Sequence, residues 1–237
     1  MSKFKYGALA GVAMLAASGS ASATTIIATF NTMTPQQGVT ITLPSGSSNT
    51  SAGRFNFTRT GGDHPENPLP DAPVSSFWAF CVELGQQISF GQSTVFDVVP
   101  LENGSNSSGG IGLARADQVR ELLGAAYPDF SQVLTNNQYA ALQLAIWEIT
   151  RENHGANGFD VFTGDIKFAS SNAAVLGLAN GYLAAVDGIG PRAQRIMALT
   201  NRTRQDMLVQ FPVPEPGSLG LALLGLGLVA GARRRSC

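Results

Sequence analysis

The chain has 237 residues, with 15 Lys and Arg against 16 Asp and Glu for a net charge of −1, and 44% hydrophobic residues. Between Thr24 and Pro212, nine Arg and one Lys stand against fifteen carboxylates, a net charge of −5, and no basic cluster appears, which argues against a nucleic-acid partner. That stretch of about 190 residues suffices for one domain with a proper core or two small ones, and no fixed-period repeat marks it as a solenoid.

The chain opens with Lys3 and Lys5, an apolar run from Ala8 to Ala17 and the small residues Ala21-Ser22-Ala23. A charged region, a short apolar region and small residues at both positions read by a signal peptidase make residues 1–23 a secretion signal, cut between Ala23 and Thr24. The apolar run is shorter than the roughly 20 residues of a stable membrane-crossing helix. Thr25–Phe30, Val39–Leu43 and Arg54–Thr58 are rich in β-branched and aromatic residues, and the last two alternate apolar with polar, as half-buried antiparallel strands do. A loop with four prolines, Gly61–Pro73, precedes a strand at Phe77–Leu84, and Thr94–Val99 supplies another. Glu102–Gly112, mostly Asn, Ser and Gly, reads as a loop.

The second half reads as helical. Arg115–Ala126 places Val119, Leu122 and Leu123 at helical spacing until Tyr127-Pro128 stops it. Asn136 or Asn137 can cap a helix running to about Arg151, with Tyr139, Leu142, Ile146 and Ile149 along one face. A third helical stretch runs from Ala174 to Val186, and Gly188-Ile189-Gly190-Pro191 breaks it before Arg192–Leu199. Asp206–Phe211 looks like a strand. The expected class is therefore α+β, an antiparallel β-rich portion packed with a small helical portion over residues 24–212.

At the far end, Val213-Pro214-Glu215-Pro216 precedes a Leu, Gly and Ala-rich stretch from Ser218 to Ala232 and then Arg233-Arg234-Arg235. Proline stops the folded domain, the apolar run enters lipid as a transmembrane helix and the arginines stay in the cytoplasm. This order of motif, helix and basic cluster over residues 213–237 resembles the PEP-CTERM sorting signal of many Gram-negative bacteria that make extracellular polysaccharide. The resemblance implies exosortase as a partner, membrane contact before processing, and a final location on the cell surface or in the extracellular matrix. An ordinary single-pass anchor is the plainer alternative, and it too puts the domain outside the cytoplasm.

Cys237 would leave with such a tail, and the exported domain would keep one cysteine, Cys81, and no internal disulfide. Strand alternation puts Trp78, Phe80, Val82 and Leu84 on one face, the expected core face, and Phe77, Ala79, Cys81 and Glu83 on the other, so the thiol is expected to point away from the core. Gln143 lies four residues beyond Tyr139 and one beyond Leu142, inside the apolar stripe of its helix, where a buried amide needs partners. A lone thiol on a sheet and a stripe-facing glutamine on a helix are what an internal thioester needs. The thiolate attacks the amide carbonyl, ammonia leaves, and burial keeps water from the acyl group.

Phe80-Cys81-Val82-Glu83-Leu84 and Leu142-Gln143-Leu144-Ala145-Ile146-Trp147-Glu148 are similar to the paired signatures of bacterial thioester domains, an aromatic-Cys-apolar strand and a Gln-x-Ala-Ile-Trp helix. The resemblance spans most of residues 53–211 and implies a Cys81–Gln143 cross-link. Known members are chiefly adhesins of Gram-positive pathogens that capture amines on host proteins. The two residues stand 62 apart here, closer than in those members, and the tail is of another kind, so the implied target is a surface or matrix nucleophile, amine or hydroxyl.

Each motif also has a plainer reading, a buried inert cysteine and a core helix with one polar residue. Lys167 is the only lysine between Thr24 and Pro212, which leaves few internal amines to consume an acyl donor; an arginine-favouring genome gives the same count. A cysteine peptidase would need His64 or His154, both at ordinary surface positions without a protease signature. Glu83 and Glu148 could form an acid pair but flank the two motifs. Two scattered His and one Cys lack metal-ligand spacing, and no cofactor motif is present, so neither metal nor cofactor is expected. The sequence points to a covalent adhesin and not an enzyme. Its rival is a non-reactive structural protein of a biofilm or exopolysaccharide matrix, held by its tail. An enzyme acting on polysaccharide lacks a recognisable carboxylate pair.

Overall fold

The computed structural model describes residues 24–71, 76–105, 109–152 and 158–212. The signal segment, the sorting motif Val213-Pro214-Glu215-Pro216, the tail helix, His154 and Cys237 lie outside them. Among the described residues, no helix is long and apolar enough to cross a membrane.

Thr24–Leu43 (β1) and Gly46–Gly61 (β2) form one long antiparallel hairpin, paired from Ile27↔Gly61 to Leu43↔Gly46. The expected strands at 25–30 and 39–43 are thus two ends of a single strand. The Pro-bearing stretch between them stays in the ladder because register shifts between Phe30 and Thr32 and between Met33 and Gln36 absorb it. Gly53 makes that approach possible, since a Cβ there would lie 2.2 Å from the Pro35 carbonyl oxygen.

Pro70–Asp71 (β3), Ser76–Cys81 (β4), Ser93–Pro100 (β5), Lys167–Ala169 (β6), Ile196–Thr200 (β7) and Met207–Gln210 (β8) complete the strands. The pairing runs β2-β1-β5-β7-β8-β4, and β4 then pairs β2, so six antiparallel strands close into a ring. β3 is appended to β4, and β6 to the far half of β1. Closure leaves the six without a free edge except where the ladders run out. Phe57 lies 5.3, 5.5 and 6.1 Å from Phe30, Phe77 and Phe96, one aromatic cluster drawn from four strands.

Arg192–Leu199, placed after the helical breaker in the sequence, contributes strand rather than helix. Ile196–Thr200 pairs on both sides, with β5 and with β8, and this two-sided pairing outweighs local helix propensity.

Leu113–Ala126 (α1), Asn136–Arg151 (α2) and Ala173–Leu183 (α3) form the helical layer, with α2 against β1, β2 and β4 and flanked by α1 and α3. The N-cap of α2 is Thr135, not Asn136 or Asn137. Its hydroxyl accepts from the Gln138 N–H while Gln138 Oε1 accepts from the Thr135 N–H, a reciprocal capping box. Tyr139 through Thr150 are buried without interruption, so α2 is enclosed on all sides instead of presenting one apolar face.

Candidate functional site

β4 ends at Cys81, three residues short of the strand expected to reach Leu84, because the chain beyond it is held elsewhere. The Val82 N–H donates to the Asp206 carbonyl (3.1 Å), and the Glu83 carboxylate accepts from the Asp206 N–H (3.0 Å). Backbone groups alternate sides along a strand. With Val82 turned toward β8, the Cys81 N–H and C=O turn to the β2 side, where the ladder has already ended at Phe55↔Ala79.

Gln143 fills that gap. Its Oε1 accepts from the Cys81 N–H (2.9 Å) and its Nε2 donates to the Cys81 C=O (2.8 Å), so one carboxamide replaces the missing strand partner. Both residues are fully buried. The structure thus brings the two sequence-selected residues into direct contact through the backbone of the residue that carries the thiol.

The expected orientation of the thiol is corrected. Cys81 does not point away from the core, because both faces of β4 are covered. Phe80 packs edge-on against Tyr127 and Phe130, Phe77 stacks on Phe57, and Cys81 lies within the same continuous core. Its thiol donates to the Glu83 carbonyl. Burial pushes the thiol up to about 12; the Trp147 indole and the Glu83 backbone oppose the rise. The indole N–H of Trp147, one turn beyond Gln143, is buried against the thiol and favours negative charge on the sulfur. Gln205 completes the surroundings by donating to the Glu83 carbonyl that the thiol also uses (3.4 Å). Trp147 was read from sequence only as part of the motif and Gln205 not at all. Its place four residues after Gln143 was the available signal for the former; a loop glutamine 62 residues further along gave none.

The remaining candidates are held apart. Glu83 binds Asp206 and the Ser105 hydroxyl (3.4 Å), while Glu148 accepts from the Asp160 N–H (3.1 Å), so the two acids have separate partners. Burial raises Glu148 to about 8, with the Asp160 N–H opposing and the Glu152 and Asp160 carboxylates reinforcing the rise. His64 packs at a tilt against Phe211 (4.5 Å) and its Nδ1 bonds the Glu66 backbone. Among the described residues no three His, Cys, Asp or Glu converge as metal ligands would.

Residues 212–236 match the family model described as the PEP-CTERM protein-sorting motif. The motif implies recognition by exosortase and an exported, cell-surface-associated protein of a Gram-negative bacterium. No curated protein and no solved structure matches the chain.

Proposed function

We propose that this exported protein is a covalent adhesin whose ectodomain, residues 24–212, carries an internal thioester between Cys81 and Gln143. The observation that carries the reading is the paired hydrogen bonding of the Gln143 carboxamide to both backbone groups of Cys81, in a fully buried place. Holding the amide against the residue that owns the thiol converts an encounter into an intramolecular reaction. In formation, the Cys81 sulfur attacks the Gln143 amide carbon, the amide C–N bond breaks, and nitrogen leaves as ammonia with the thiol's proton. In use, a partner nucleophile attacks the same carbon, the C–S bond breaks, and sulfur recovers the proton. Each molecule reacts once, so the protein is a reagent and not an enzyme.

The high thiol value makes the sulfur a slow leaving group once the bond exists and disfavours the thiolate needed to form it. The rival reading, a non-reactive structural protein of the matrix, is favoured by the same pairing taken as an end in itself, with an amide that satisfies a strand end. Peptide mass spectrometry of the exported protein separates the two. The thioester predicts a loss of one ammonia shared by the Cys81 and Gln143 peptides, and methylamine transferred to the Gln143 peptide. An unmodified glutamine with a free Cys81 thiol, and no methylamine taken up, leaves only the structural reading.

A further inference from the structure

We infer that the nucleophile captured at Gln143 is a hydroxyl of a neutral polysaccharide, admitted through an uncharged cleft beside Trp147; the covalent part rests on the thioester reading above. Two adjoining hollows of ≈ 180 and ≈ 160 Å³ share Thr50, Gln87, Trp147 and Gln205 as a common wall. The first continues along Phe30, Phe55 and Phe90, the second along Ser48, Asn49 and Gln86. Two residues of the shared wall are those that border the reactive pair. Trp147 lies one turn from Gln143, and Gln205 donates to the carbonyl that receives the Cys81 thiol. The cleft is therefore walled by two side chains that border the fully buried Cys81 and Gln143, although neither of the pair lines it.

Its chemistry selects the occupant. No described residue lining either hollow carries a charge; Arg151 and Asp165 line a different one, beyond Leu43 and Leu84. A lysine amine, protonated at neutral pH, would shed its water with no carboxylate in the lining to replace it. A hydroxyl enters neutral. Side-chain amides and hydroxyls offer donors and acceptors together, the complement of a sugar hydroxyl, which is itself both. Phe90 is 67% exposed although stacked on Phe30 at 4.7 Å, so it presents a fixed aromatic face at the cleft mouth. Such a face beside amides suits a ring with an apolar side and a polar rim.

The step balances without any added reagent. The hydroxyl oxygen attacks the Gln143 acyl carbon, the C–S bond breaks, the hydroxyl proton passes to the Cys81 sulfur, and an ester joins saccharide to protein. The buried Trp147 indole, which already favours charge on the Cys81 sulfur, assists the departing thiolate.

Two measurements test this. The exported wild-type protein is incubated with maltohexaose, cellohexaose and Nα-acetyl-lysine at equal concentration and mapped by mass. A hexasaccharide ester on the Gln143 peptide, removed by hydroxylamine, is expected in about tenfold excess over the lysine amide; a predominant lysine amide overturns the inference. The Cys81→Ala variant, unable to form the bond, is titrated with the same hexasaccharides. Saturable binding weakened about tenfold by a further Phe90→Ala is expected. Absence of binding with the ammonia loss intact sinks the saccharide assignment and leaves the thioester. Binding without the ammonia loss in wild type sinks the thioester and the covalent step, and leaves a saccharide cleft.

Discussion

Before any cross-link forms, Gln143 joins the helical layer to a strand end through two buried hydrogen bonds, and its removal strands both groups it serves. Each unpaired buried group costs about 1–3 kcal/mol, and a destabilisation of 1 kcal/mol lowers the melting temperature of a domain this size by about 2–4 °C. Calorimetry of Gln143→Ala should therefore show a fall of several degrees; an unchanged melting temperature would mean that the pairing contributes nothing. Glu148 predicts a pH effect. Its folded value of about 8 lies above the ordinary 4.5, so between these values the folded chain keeps a proton that the unfolded chain has released. Stability should fall as pH rises through that window and level off above it, and Glu148→Gln should flatten the profile of melting temperature against pH. Cys81 and Gln143 were legible as a pair because motif and spacing place each on a buried element. The direction of the thiol was not, because alternation along Phe77–Leu84 separates two faces without saying that the second is covered as well.

Thr135 fixes where α2 begins, and so the register that delivers Gln143 to Cys81. Thr135→Ala removes the hydroxyl half of the capping box and should cost about 1 kcal/mol, read as a drop of about 2–4 °C in melting temperature. Most elements could be read from local pattern. β5 alternates inward Thr94, Phe96 and Val98 with outward neighbours, and α1 stops before Pro128 as its sequence says. Two features depend on partners distant in the chain and escaped that reading. Ile196–Thr200 is a strand because β5 and β8 lie on either side of it. β1 is continuous past Pro35 because Gly53 lets β2 follow it through the shift. Ring closure through β2 and β4 is likewise a property of pairing, and it sets the gap that the Gln143 carboxamide occupies.

At the scale of the whole molecule, a sorting tail and a domain with a buried Cys–Gln contact belong to one exported product. Replacing Pro214-Glu215-Pro216 with alanines should leave the tail uncut in cells that contain exosortase, seen as a larger species on an immunoblot; unchanged processing would show that the motif is not read. Export also bears on the proposed chemistry. Residues 24–212 keep Lys167 as their only amine-bearing side chain and Cys81 as their only thiol, so an activated acyl group there meets little competition from its own chain. The most direct test compares the mass of the exported wild-type protein with that of Cys81→Ala. Beyond the difference between the two side chains, the wild type should be lighter by one ammonia and should gain one methylamine on incubation, while the variant should do neither. Wild-type protein at its full mass, inert to methylamine, would contradict the thioester.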